Sequence, residues 1–274
     1  MLMENKFGKI SRITACAALK NGKTILEDLS FTAPYKIMAP FEKENGGIQI
    51  MPLCASAGIM EGDSQEFSYH VKEGADLEVL SQSFEKIHKM DEGSASRTIS
   101  VQVDPHAVLY YYPQPVIPFA QSSFTSTMTI HLADETSRLF LLEIISCGRN
   151  AHEERFQYRR FASKIQIFRG QKLIYRDNTC YLPIRCRWKG LVCTRDTRIW
   201  RTFFSHGQNT RIRFSMKSGK FLTAIRKSTA AQRRSPAAIL LFGFSDTVRR
   251  SCSRRRKKSK LCMKNFYKNR LENF

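Results

Sequence analysis

Three prolines, Pro113, Pro115 and Pro118, stand close together in the segment Tyr112-Pro113-Gln114-Pro115-Val116-Ile117-Pro118-Phe119. Each removes a backbone donor and fixes one φ angle. The segment therefore reads as an extended, polyproline-like edge, neither a helix nor a central strand. Ahead of it, Val101-Gln102-Val103-Asp104 and Val108-Leu109-Tyr110-Tyr111-Tyr112 alternate or cluster β-formers, and Asp104-Pro105 supplies the turn between them. A strand leads into the proline edge.

The same grammar extends on both sides. Ile10-Ser11-Arg12-Ile13, Lys23-Thr24-Ile25-Leu26 and Ile48-Gln49-Ile50-Met51 read as short strands, with Asn21-Gly22 and Asn45-Gly46-Gly47 where hairpins or bulges want them. Glu66-Phe67-Ser68-Tyr69-His70-Val71 alternates as a half-buried strand does. Leu139-Phe140-Leu141-Leu142-Glu143-Ile144-Ile145 is an apolar run broken by one carboxylate and reads as a central strand. Leu77, Leu109 and Leu139 each follow a turn, at separations of 32 and 30 residues. That weak period points to stacked β rungs, and an irregular sandwich with hairpins of similar length fits equally. Either way the expected class is all-β.

Charge divides the chain. Residues 1–182 hold 20 Lys and Arg against 21 Asp and Glu, and residues 183–274 hold 25 against 3. The net +21 thus sits in the last third, which ends in runs such as Arg254-Arg255-Arg256-Lys257-Lys258 and reads as a disordered basic tail. Two units are expected: a β domain over residues 1–182 and the tail over residues 183–274. The eight cysteines show no C-x-x-C pair and no histidine at finger spacing, so free or buried thiols are expected rather than a disulfide or zinc framework. The apolar runs are far shorter than the roughly 20 residues a membrane-spanning helix needs, and no secretory h-region opens the chain. A cytoplasmic protein without membrane association is the expectation.

Ser81-Gln82-Ser83-x-x-Lys86, followed by Pro113-Gln114-Pro115-x-Ile117-Pro118-Phe119, resembles the UreD family of urease accessory proteins, called UreH in some bacteria. Gly62-Asp63, Glu143, Gly148-Arg149, Glu154, Phe156 and Leu173-x-x-Arg176-Asp177 match the same pattern, and the likeness covers about residues 9–182. Tyr110-Tyr111-Tyr112 departs from it. The resemblance implies a β-rich, helix-like stacking of strands. It also implies a non-enzymatic maturation factor that binds the urease apoprotein and, with UreF and UreG, helps deliver nickel to the urease active site. UreG is the GTPase, so no nucleotide site is expected here. The pattern further expects a Met-x-x-Gly-Tyr-x-His-type segment downstream of Asp177, where this chain has Val192-Cys193-Thr194-Arg195-Asp196-Thr197-Arg198-Ile199-Trp200. Codons for Arg195 to Ile199, read two bases out of phase, allow Gly-Tyr-Thr-His-Met. A change of reading frame near Thr179 to Lys189 is therefore expected.

The chemistry agrees with a non-enzyme. No Gly-rich phosphate loop, nucleophile elbow or H-E-x-x-H is present. Asp63, Gln82, Lys86, Gln114, Glu143, Arg149 and Glu154 are the candidates for contacting partners or lining a nickel passage. For each, a structural role is the bland alternative, as in an Arg149–Glu154 pair that merely fixes a loop. The six histidines never fall two or four residues apart, so no preformed metal cage and no tightly bound cofactor are expected. Transient nickel needs only sparse groups such as Glu143, Asp63 and His88. The main alternative function is nucleic-acid binding through the basic tail, which the neutral charge of the body disfavours. A second is a carboxylate-dependent β-helical enzyme relying on Glu143 and Asp63.

Overall fold

The structure, a computed structural model, describes residues 10–183 and, beyond them, the backbone of four strands within residues 199–243. The described residues are built mostly from strands. The first six are β1 (Ser11–Lys20), β2 (Lys23–Phe31), β3 (Tyr35–Ile37), β4 (Phe41–Glu42), β5 (Ile48–Ile50) and β6 (Pro52–Cys54). Next come β7 (Ser64–Val71), β8 (Asp76–Leu80), β9 (Glu85–Ile87), β10 (Ala95–Val103), β11 (Val108–Tyr112) and β12 (Val116–Pro118). Then follow β13 (Ser123–Leu132), β14 (Arg138–Ser146), a single 3-10 turn at Asn150–His152, β15 (Arg160–Arg169) and β16 (Lys172–Tyr181). The last four are β17 (Ile199–His206), β18 (Thr210–Lys217), β19 (Lys220–Lys227) and β20 (Ala238–Gly243). They fall within the stretch expected to be a disordered tail; the remainder of that expectation, and most of the suspected frame-change region beyond Pro183, lie outside the described residues.

Two large sheets face each other. In one, the order is β16-β15-β13-β10-β7-β1-β2; the five inner strands run parallel, and antiparallel hairpins close both ends. The first hairpin turns at Asn21 (φ 53°) and Gly22 (φ 75°), the pair of left-handed residues a two-residue turn requires, as its Asn-Gly sequence predicts. The other sheet has the order β20-β17-β14-β11-β8-β5-β4. Successive rungs therefore alternate between sheets: β7 to β8, β10 to β11, β13 to β14. Leu109 lies in register with Leu77 on one side and Leu139 on the other, and all three are fully buried. The stacked-rung reading holds, and the weak period in the sequence is the repeat of the solenoid.

β10 shows why these segments are strands. Ala95, Arg97, Ile99, Val101 and Val103 point inward while Ser96, Thr98, Ser100 and Gln102 face out, an unbroken two-residue alternation. The expected strands near the N-terminus are present, two of them longer than the sequence suggested, β1 and β2 at ten and nine residues, and the third, β5, shorter at three.

The proline segment is a correction. β12 is not an edge: it pairs in parallel with β9, and Val116 also pairs with Ile145 of β14. Pro113 and Pro115 precede the strand, and Pro118 is tolerated within it because only alternate residues donate toward a given neighbour in a parallel ladder. Toward β9 the bonds fall on Phe119, whose N–H reaches the Ile87 carbonyl (2.9 Å), and on the Pro115 carbonyl, which accepts from Glu85 (3.1 Å). Pro118 faces the other way, past the point where pairing with β14 ends.

The described interior holds two hydrophobic clusters. The larger includes Ile13, Phe67, Ile99, Met128 and Ile165 of the first sheet and Ile50, Leu77, Leu109 and Leu141 of the second. The smaller gathers Ile59, Ile87, Met90, Ala95, Val116, Phe124, Cys147, Phe156, Tyr158 and Phe161 under the short strands β9 and β12. Cys16, Cys54, Cys147 and Cys180 stand outside any disulfide. No helix of the described residues is long and apolar enough to cross a membrane.

Candidate functional site

A polar row separates the two clusters. Inward-facing Gln65, Arg97, Ser126 and Ser163 occupy aligned positions on β7, β10, β13 and β15, and the same register continues to Thr179 of β16. Along β10, β13 and β15 each polar residue sits two places after a member of the smaller cluster and two before a member of the larger one: Ala95-Arg97-Ile99, Phe124-Ser126-Met128, Phe161-Ser163-Ile165. The row runs across the strands and hence along the axis of the stack. Buried polar groups need partners, and Arg97 and Ser163 find them across the interior in Glu85 and Glu143.

At one level the Ser163 hydroxyl donates to Glu143 Oε2 of β14 at 3.0 Å. Burial pushes the Glu143 carboxyl above its usual range; the Ser163 hydrogen bond and Arg97 oppose the rise, and the charge of Asp177 adds to it. Asp177 accepts from the Thr179 hydroxyl at 2.7 Å and lies 3.5 Å from the Tyr175 hydroxyl. At the next level Arg97, only 8% exposed, donates to Gln65 Oε1 from Nε at 2.8 Å and from Nη2 at 2.5 Å. It donates to both oxygens of Glu85, from Nη1 at 2.7 Å and from Nη2. Its guanidinium lies over the rings of Phe67 (5.0 Å) and Phe124 (5.5 Å). Burial works against the arginine charge, but Glu85 and the nearby tyrosines outweigh it and the cation is held firmly. The Tyr35 hydroxyl lies buried in the field of Arg97 and Glu85, and burial pushes it well above the usual phenol range.

The sequence-derived candidates separate. Glu143 alone lies in the interior row. Asp63 closes a turn ahead of β7: its Oδ2 accepts from the Met60 N–H (2.7 Å) and its carbonyl accepts from Ser96 (2.9 Å). Arg149 and Glu154 form a two-point ion pair, with Nε to Oε2 at 2.7 Å, and Glu154 also accepts from the Ala120 N–H at 3.1 Å. The Arg149 cation holds the Glu154 carboxyl below the usual range. Arg149 stacks 4.0 Å from the Phe119 ring, which in turn meets His88 at 4.8 Å. Gly148 makes this loop possible, since at its φ of +123° the Glu154 carbonyl fills the place a Cβ would take. Gln82 and Lys86 are exposed around β9, Gln114 is half-buried ahead of β12, and Lys86 lies in register with Ile117. Sequence reasoning missed Arg97, Glu85, Gln65 and Ser163 as a group. The available signal was a polar residue at an inward position of an alternating strand.

Among the described residues no three His, Cys, Asp or Glu side chains are gathered to hold a metal ion.

Comparison with known proteins gives the family. The model of the UreD urease accessory protein family matches residues 11–264. A protein of Acetivibrio thermocellus named urease accessory protein UreD is 40% identical over 182 residues, covering 66% of this chain and 69% of that one. The urease accessory protein UreH of Helicobacter acinonychis is 40% identical over 163 residues, 60% of this chain and 62% of its own length. A Flavobacterium johnsoniae UreD is 27% identical over 176 residues, 64% of this chain and 63% of that protein. The chain belongs to the UreD family of urease accessory proteins.

Proposed function

We propose that this chain is a non-catalytic scaffold of urease maturation that binds the urease apoprotein and, with UreF and UreG, delivers nickel to it. The observation that carries this reading is the interior polar row, where Ser163, Glu143, Thr179 and Asp177 place carboxylates and hydroxyls along the axis of an otherwise apolar stack. Nickel is cargo here, bound in passing by oxygen ligands and released. The scattered surface candidates Gln82, Lys86 and Gln114 belong to the protein contacts, and Arg149 and Glu154 to the loop that supports them. Co-purification tests the scaffold role directly. A tagged copy expressed with the urease subunits, UreF and UreG is expected to retain all of them through gel filtration; a chain that elutes alone overturns the proposal.

A further inference from the structure

β9 is a three-residue strand with little to hold it. It pairs with β12 through three residues and with Ile59 through a single bridge, and Ile87 is its one fully buried apolar side chain. Gln82, Ser83 and Phe84 ahead of it are exposed, Phe84 at 38%, and within β9 exposed Lys86 stands between inward-pointing Glu85 and buried Ile87. A carboxylate at an inward position is unstable unless a cation meets it. Arg97 does so through both oxygens, and Gln65 and the Phe67 and Phe124 rings fix the guanidinium on its other sides. Without Arg97, a one-residue rotation of β9 would release Glu85 to water and carry Lys86 inward, reversing every side chain of the strand.

We propose that Arg97 is a positioning residue: by holding Glu85 inside the molecule it turns Phe84 and Lys86 outward as a contact surface for a protein of the urease maturation machinery. The inference rests on the scaffold reading above. The partner's chemistry follows from the surface. Lys86 pairs with no carboxylate among the described residues, Phe84 offers an exposed ring, and half-buried Ile117 lies beside Lys86. The matching face presents a carboxylate next to an apolar patch.

Three full-length variants test this in a host that makes urease and the other accessory proteins but lacks its own UreD-family gene. Arg97→Met leaves Glu85 unpaired, the double variant Glu85→Met with Arg97→Met replaces the pair by apolar groups of similar length, and Phe84→Ala with Lys86→Glu alters only the surface. Capture of urease subunits and urease activity are read per folded chain, alongside amide hydrogen exchange of residues 81–88. Arg97→Met is expected to lose about tenfold or more in capture and activity, with faster exchange confined to that segment. The double variant is expected to regain most of both. The surface variant is expected to match the Arg97→Met loss with an unchanged melting temperature, which keeps the proposal testable should Arg97→Met fold poorly. Wild-type capture and activity in the surface variant, or in the folded fraction of Arg97→Met, overturns the proposal. If the wild-type chain fails to raise urease activity, the scaffold reading falls, and exchange at residues 81–88 in Arg97→Met still decides whether Arg97 positions the segment.

Discussion

Glu143 and Ser163 meet because two alternations face each other. Ser163 occupies an inward place on β15, and Glu143 continues the inward series of Leu139 and Leu141 on β14. The carboxylate was visible in sequence as the one break in an apolar run. Its partner was not, since pairing across the interior depends on how rungs stack. The same limit hid Arg97, which reads in sequence as one more charge among serines. The proton balance of Glu143 yields a prediction. Burial, reinforced by Asp177, raises its folded-state value, so the folded protein holds the proton more tightly than the unfolded chain. That contribution to stability is fully present below the ordinary carboxyl value of 4.5 and is lost as pH rises through the raised value. Glu143→Gln removes this dependence, so its unfolding free energy should gain on the wild type as pH rises from acid toward neutral. Denaturant unfolding across that range measures it, and each unit of displacement corresponds to about 1.4 kcal/mol. Parallel curves for the two proteins would show that Glu143 is not displaced upward.

Among elements, the rungs were legible and their edges were not. The separation of the three leucines reported the repeat because each rung spends a similar length on two strands and two turns. Leu109 sits at the middle of that column, aligned with Leu77 and Leu139. Leu109→Ala should therefore cost about 2–5 kcal/mol by chemical denaturation, at the high end if the flanking rungs cannot close the cavity. Pro113, Pro115 and Pro118 misled in the other direction. Lost donors argue for an edge strand only when both sides of the strand must donate at those positions, and the short ladder between β12 and β14 makes no such demand of Pro118. The Arg149 loop has its own weak point at Gly148. Any side chain there meets both the left-handed backbone and the Glu154 carbonyl. Gly148→Ala is expected to lower stability by about 1–3 kcal/mol or more and to disturb the Arg149–Glu154 pair, visible as a loss of amide protection at Phe156, whose N–H bonds to the Cys147 carbonyl at 2.7 Å.

At the scale of the molecule, charge asymmetry remains the sharpest feature of the sequence. A body with 20 basic and 21 acidic residues precedes a stretch with 25 and 3. The family model reaches residue 264, while the 40% identity to the Acetivibrio protein is confined to 66% of the chain. Set against the family match through residue 264, a change of reading frame in the gene would account for the basic excess. It predicts that resequencing across the codons for Arg176 to Trp200 finds a missing or extra base, and that the native protein differs in mass from 31.6 kDa. An unchanged sequence and mass would make the basic stretch genuine and would favour salt-sensitive nucleic-acid binding as an added property. The most direct test of the maturation role is the nickel content of urease purified from a host from which this gene is deleted. Urease subunits present at normal abundance but poor in nickel, with loading restored by a plasmid copy, is the predicted result. Fully nickel-loaded, active urease in the deletion host would contradict it.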